Sequence, residues 1–81
     1  MNITFYSFNE KHEEVEVKTW KEATHCTIDC ERENRMEDIL EAGRWIEAHK
    51  RTIVDYALYG AYGDTPYIEV YKAAKTTDFL K

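Results

Sequence analysis

The chain predicts an α+β fold: a two-layer sandwich in which a four- or five-stranded antiparallel sheet carries one main helix, in the order ββ(β)αββ. Three features of the 81 residues point there. Short stretches toward both ends alternate apolar and polar side chains with the period of a strand. One central stretch repeats apolar residues with the period of a helix. The strands at each end are joined by short polar turns, which suit antiparallel hairpins and not the long crossovers of a parallel sheet. A chain of this length supports one domain, residues 1–81, with one small core. With 43% hydrophobic and 33% charged residues, it has the composition of a folded protein and not of a disordered one.

Each element has its own signature. Asn2 to Phe8 sets Ile3 and Phe5 on one side and Thr4, Tyr6 and Phe8 on the other, a strand. Residues 9–13 form a polar turn, and Glu14 to Thr19 resumes the alternation with Val15 and Val17 inward, completing a hairpin. Residues 19–33 carry conflicting signals. Thr19-Trp20-Lys21-Glu22 has the form of a capping box, whereas His25 to Cys30 alternates and is rich in β-branched residues. The longer periodic signal favours a third strand over a short helix.

Asn34, with Glu37 three residues on, opens the helix. Met36, Ile39, Leu40, Gly43 and Ile46 form its expected core stripe, with Gly43 allowing close approach to the sheet. His49, Lys50 and Arg51 fall where positive charge meets the negative end of the helix dipole. Thr52 to Gly60 and Tyr67 to Tyr71 read as a second hairpin around the turn residues 61–66, and 73–81 as a polar tail.

Charge is divided unevenly. Residues 1–47 hold twelve acids and six bases, and residues 48–81 four acids and five bases, for a net charge of −5. Binding to nucleic acid through a broad basic surface is not expected from this balance, because such binding relies on Lys and Arg at phosphates. No apolar run is long enough to span a bilayer, and the N-terminus lacks the pattern of a secretory signal, so a cytoplasmic protein without membrane contact is expected. Cys26 and Cys30, four apart on a strand, sit about 13 Å from each other, too far for a disulfide. Free thiols fit a reducing compartment.

Motifs for chemistry are weak. His25, Cys26 and Cys30, with His12 and His49 elsewhere, could approach a zinc set, but no second Cys/His pair follows, and Cys26, Ile28 and Cys30 read more simply as one apolar face. Neither a metal nor another cofactor is expected. Adjacent His25 and Cys26 point to opposite faces of a strand, and the only serine, Ser7, has no elbow around it, so nucleophilic catalysis is not expected. Tyr59-Gly60-Ala61-Tyr62-Gly63 lacks the lysine and helix of a phosphate loop. A protein that is not an enzyme is the reading of these residues.

Surface chemistry is more suggestive. Val54, Tyr56 and Leu58 should share the core side with Ile68 and Val70. The other side would show Ile53, Asp55, Ala57 and Tyr59 opposite Tyr67, Glu69 and Tyr71, with Tyr62 at the loop tip. Tyrosines between carboxylates make either a binding surface or ordinary cross-strand pairs on an exposed sheet. Trp45 closes the core edge or anchors a partner. Glu13, Glu14, Glu16, Glu31, Glu33, Glu37, Asp38 and Glu41 are expected to form a negative face.

Such a face would stand in for nucleic acid on a basic partner, with Asp55, Tyr59, Tyr62, Tyr67, Glu69 and Tyr71 as further anchors. In type, a short, acidic, aromatic-rich chain without catalytic motifs resembles the small accessory proteins of phages and mobile elements. These inhibit a host machine by stoichiometric binding, anti-CRISPR proteins among them. The expected partner is a host protein or ribonucleoprotein with a basic surface. A structural or regulatory homodimer, joined through a strand edge or the tyrosine face, is the alternative, with a small metal-binding module behind it.

Overall fold

The structure is a computed structural model that describes residues 1–60, 63 and 65–73. Its elements are β1 (Asn2–Phe8), β2 (Glu14–Val17), β3 (His25–Asp29), α1 (Arg35–Ala48), β4 (Asp55–Tyr59) and β5 (Tyr67–Tyr71). The five strands form one sheet in the order β2-β1-β3-β5-β4, with every neighbouring pair antiparallel. The α+β arrangement is therefore as the periodicities predict, with five strands. Residues 62 and 74–81, including the expected loop-tip tyrosine and most of the polar tail, lie outside the described residues.

The ambiguous stretch resolves into a turn followed by a strand. Glu22 N–H donates to Thr19 O (3.2 Å) and Ala23 N–H to Trp20 O (3.1 Å), two overlapping turns that take the place of the capping-box helix. β3 then enters the centre of the sheet, with β1 on one side and β5 on the other. In the β1–β2 turn, Asn9 Oδ1 accepts from the N–H groups of Lys11 (2.9 Å) and Glu13 (3.0 Å), which holds His12 at φ 62°. Asn9→Ala should lower stability by about 1 kcal/mol through loss of these bonds, read as a shift of the urea midpoint with unchanged slope.

The core lies between the helix and one face of the sheet. Two cross-strand rows run along this face: Val17, Phe5, Cys26, Val70 and Tyr56, then Ile3, Ile28, Ile68 and Leu58. Tyr56 and Leu58, with Val54, are exposed at the edge strand and do not join the core, where the alternation places them. The central members Cys26, Ile28, Ile68 and Val70 are buried. Trp20 packs edge-on to Trp45, with centroids 5.4 Å apart, and both approach Phe5, so Trp45 closes the core edge.

The helix presents a different stripe from the expected one. Its buried residues are Asp38 and Ala42, with Ile39, Trp45, Ile46 and His49 half-buried beside them. Met36 and Leu40 are 67% and 60% exposed, and a Cβ added at Gly43 would meet nothing within 4 Å. Gly43 therefore faces open space and does not approach the sheet. Two fixed points set this rotation. Trp45 is drawn into the Phe5–Trp20 cluster, and the Asp38 carboxylate lies 3.4 Å from the Met1 ammonium and accepts the Glu31 N–H at 2.8 Å.

The helix ends also differ from expectation. Asn34 occupies the N-cap without a side-chain capping bond. His49 is the C-cap, so Lys50 and Arg51 lie beyond the helix and no basic residue falls in its last turn. Among the described residues, no helix is long and apolar enough to cross a membrane.

Candidate functional site

Side chains on a strand alternate between faces, so register decides what the side of the sheet away from the helix displays. One row crosses all five strands: Glu16, Tyr6, His25, Tyr71 and Asp55. A second runs Thr4, Thr27, Glu69 and Ala57, and a third Asn2, Asp29, Tyr67 and Tyr59. Phe8 and Glu14 pair at the hairpin end. All five carboxylates of the strands, Glu14, Glu16, Asp29, Asp55 and Glu69, thus share the side away from the helix with Tyr6, Phe8, Tyr59, Tyr67 and Tyr71. Among the described residues, none of the five strands contains a lysine or an arginine.

His25 is the buried centre of this face. Its ring stacks with Tyr6, Phe8 and Tyr71 at centroid distances of 5.5, 5.3 and 6.0 Å. His25 Nε2 lies 2.8 Å from Glu14 Oε2 and Nδ1 lies 2.8 Å from Thr24 Oγ1. A carboxylate only accepts, so this network places a proton on Nε2 and leaves Nδ1 to accept from the hydroxyl in the neutral ring. The order hydroxyl, imidazole, carboxylate is that of an acyl-transfer triad. Here its visible work is to clamp β2 to β3 across the end of β1 and hold the aromatic rings in place. Thr24 precedes His25 in the chain, whereas the Glu14 contact could not be read from sequence spacing, because the β1–β2 hairpin brings it to His25. Tyr59 and Tyr67 stack at 5.1 Å at the far end of the face.

The helix and hairpin carboxylates do not gather into one negative face. Glu13 and Glu14 lie at the end of β1 where Phe8 sits, whereas Glu31, Glu33 and Glu37 lie beyond the opposite end, after Asp29 pairs with Asn2. β1 has seven residues, which separates these ends by roughly 20 Å. Glu37 and Glu41 are exposed on the helix, on the other side of the sheet from Glu14 and Glu16. Asp38 is buried and bonded to Met1 and Glu31, so it belongs to the fold and not to an exposed surface. Ile53 likewise leaves the expected tyrosine face and packs against the core.

Four cations gather on the helix side. A cleft of about 650 Å³ between the 19–23 turn and the helix C-terminus is lined by Trp20, Glu47, His49 and four basic residues, Lys21, Lys50, Arg51 and Lys72. Glu47 pairs with Lys50 at 2.9 Å, and Lys72 Nζ donates to Trp20 O and sits 4.6 Å above the Trp20 ring. His49 donates from Nδ1 to Trp45 O at 2.7 Å.

Both thiols are free and buried. Burial pushes the Cys26 thiol up to about 12 and also raises Cys30, which disfavours the thiolate that a metal or a nucleophilic step needs. Among the described residues, no three His, Cys, Asp or Glu side chains are grouped to hold a metal ion. No protein-family model, curated protein or solved structure matches this chain.

Proposed function

We propose that the protein is a non-catalytic inhibitor of the phage or mobile-element type. In this reading it occupies a basic surface on a host nucleic-acid-processing or defence complex, and the open sheet face is its contact surface. One observation carries the reading: strand carboxylates interleave with tyrosines on a face to which the strands contribute no cation.

An arginine fits such a face twice over. Its guanidinium forks onto a carboxylate while its plane lies against an aromatic ring. The negative field favours approach of a basic channel and disfavours nucleic acid, so the protein competes with nucleic acid without binding it. The rings are preset by the His25 stack, so little side-chain freedom is lost when a partner docks. The surface differs from the one the composition suggests, since the charge comes from the strands and not from the helix.

The test compares the wild-type chain with a Glu16→Lys/Asp29→Lys variant, two exposed positions on this face. Immobilised wild type should retain a nucleic-acid-binding complex from the native host, and salt near 0.5 M should elute it, because the Debye length there is only about 4 Å. The double variant should weaken retention about tenfold or more, mainly through the on-rate. Tyr67→Ala should act instead on the off-rate. Equal retention by wild type and double variant, or elution indifferent to salt, refutes the reading.

A further inference from the structure

We propose that β4 is a homodimer interface, in which two copies of this chain pair their β4 edges antiparallel and join their sheets into one of ten strands. This edge borders the open face and shares Asp55 and Tyr59 with it, but the inference does not rest on the inhibitor reading.

The two edges of the sheet are built differently. β2, at one edge, alternates Glu14 and Glu16 with its valines and is followed by Lys18. Charges at an edge are how sheets refuse unwanted pairing. β4, at the other edge, reads Asp-Tyr-Ala-Leu-Tyr, with no lysine, arginine or proline, and no described strand pairs with its outer side. Its helix-side residues are exposed although they face the core layer: Val54 by 63%, Tyr56 by 58% and Leu58 by 44%.

The helix leaves that side open because Trp45 pulls it toward Phe5 on β1. By helical spacing, Gly43 lies on the flank away from Trp45, whereas Met36 and Leu40 point largely away from the sheet, Leu40 directly opposite Asp38 and Ala42. Gly43 faces empty space, so that flank of the helix carries nothing to cover the edge. Three of the large exposed apolar side chains, Val54, Tyr56 and Leu58, therefore border one strand edge.

A second copy fits this edge better than a basic partner does, since β4 offers Asp55 as its one charge. Under a two-fold axis at Ala57, Tyr56 of each copy falls opposite Leu58 of the other, apolar against apolar on the helix side. On the open side Asp55 falls opposite Tyr59, a carboxylate facing a phenol. Every pair in that register is compatible. The exposed portions of Val54, Tyr56 and Leu58 amount to about 300 Å² per copy, and the paired backbones and neighbouring side chains add to this toward the roughly 800 Å² per partner of a stable interface.

Sedimentation equilibrium of the full chain, from low micromolar to several hundred micromolar, decides the matter. Wild type should approach twice the monomer mass with a micromolar dissociation constant that is nearly indifferent to salt, unlike contacts made by the acidic face. Tyr56→Lys should weaken association about tenfold or more, whereas Val15→Lys, at the opposite edge, should leave it unchanged. Hydrogen exchange on wild type gives a readout that needs no variant: the β4 amides should gain protection as concentration rises. A monomer across the whole range, association lost in Val15→Lys but kept in Tyr56→Lys, or β4 exchange independent of concentration each overturns the proposal.

Discussion

Ile28→Ala should cost about 2–5 kcal/mol, a large part of the roughly 4–12 kcal/mol expected for a domain of this length. Ile28 is fully buried on the central strand, between Ile3 on β1 and Ile68 on β5. The sheet cannot close around the lost methyls without breaking two ladders at once, so the cavity persists. The midpoint of thermal unfolding should fall by roughly 10–40 °C, read by circular dichroism. Leu40→Ala is the matching control, since helical spacing alone makes Leu40 look equally central. Because Leu40 is exposed, its truncation should change stability by about 0.5 kcal/mol or less. Equal losses for the two variants would contradict the helix rotation described above.

Asp38→Asn should lower the unfolding temperature by several degrees at neutral pH, with the difference from wild type fading in acid. The Glu31 N–H and then the Met1 ammonium hold the Asp38 carboxyl below its usual range, against the opposing effect of burial. A depressed folded value means that the contribution is complete above the unfolded value of about 3.8 and is lost as pH falls through the lower folded value. Wild type and variant should therefore converge below pH 3.8, a pattern that thermal melts across the acid range would reveal. A temperature difference that stays constant into strong acid would remove the ion pair and the Glu31 bond from the account. The same variant separates fold from contact. Asp38 is turned inward, so its replacement should leave partner retention unchanged, whereas Glu16→Lys/Asp29→Lys should weaken retention with little effect on stability.

The sequence by itself determined four strands and the helix, favoured a third strand over a short helix at 19–33, and assigned most side chains of the strands to the correct side of the sheet. Period-two alternation assigns faces wherever it is unbroken, and it correctly put Cys26 in the core and His25 on the opposite side. The tyrosine-and-carboxylate half of the candidate surface, Asp55, Tyr59, Tyr67, Glu69 and Tyr71, was legible for the same reason. Strand order was not legible, and much followed from it. Inserting β3 between β1 and β5 brings Tyr6 and Phe8 beside Tyr71 around His25, and places Glu16 and Asp55 in one row. Helix rotation was equally out of reach. Met36-Ile39-Leu40-Gly43 and Asp38-Ala42-Trp45-His49 are both possible inward stripes, and hydrophobicity prefers the first. The second prevails because a long-range aromatic cluster and the chain's own N-terminus pull on Trp45 and Asp38. Local periodicity is a property of neighbours along the chain, and it specifies elements and their sides. Contacts between residues tens of positions apart chose which carboxylates share a surface and which apolar side chains remained outside.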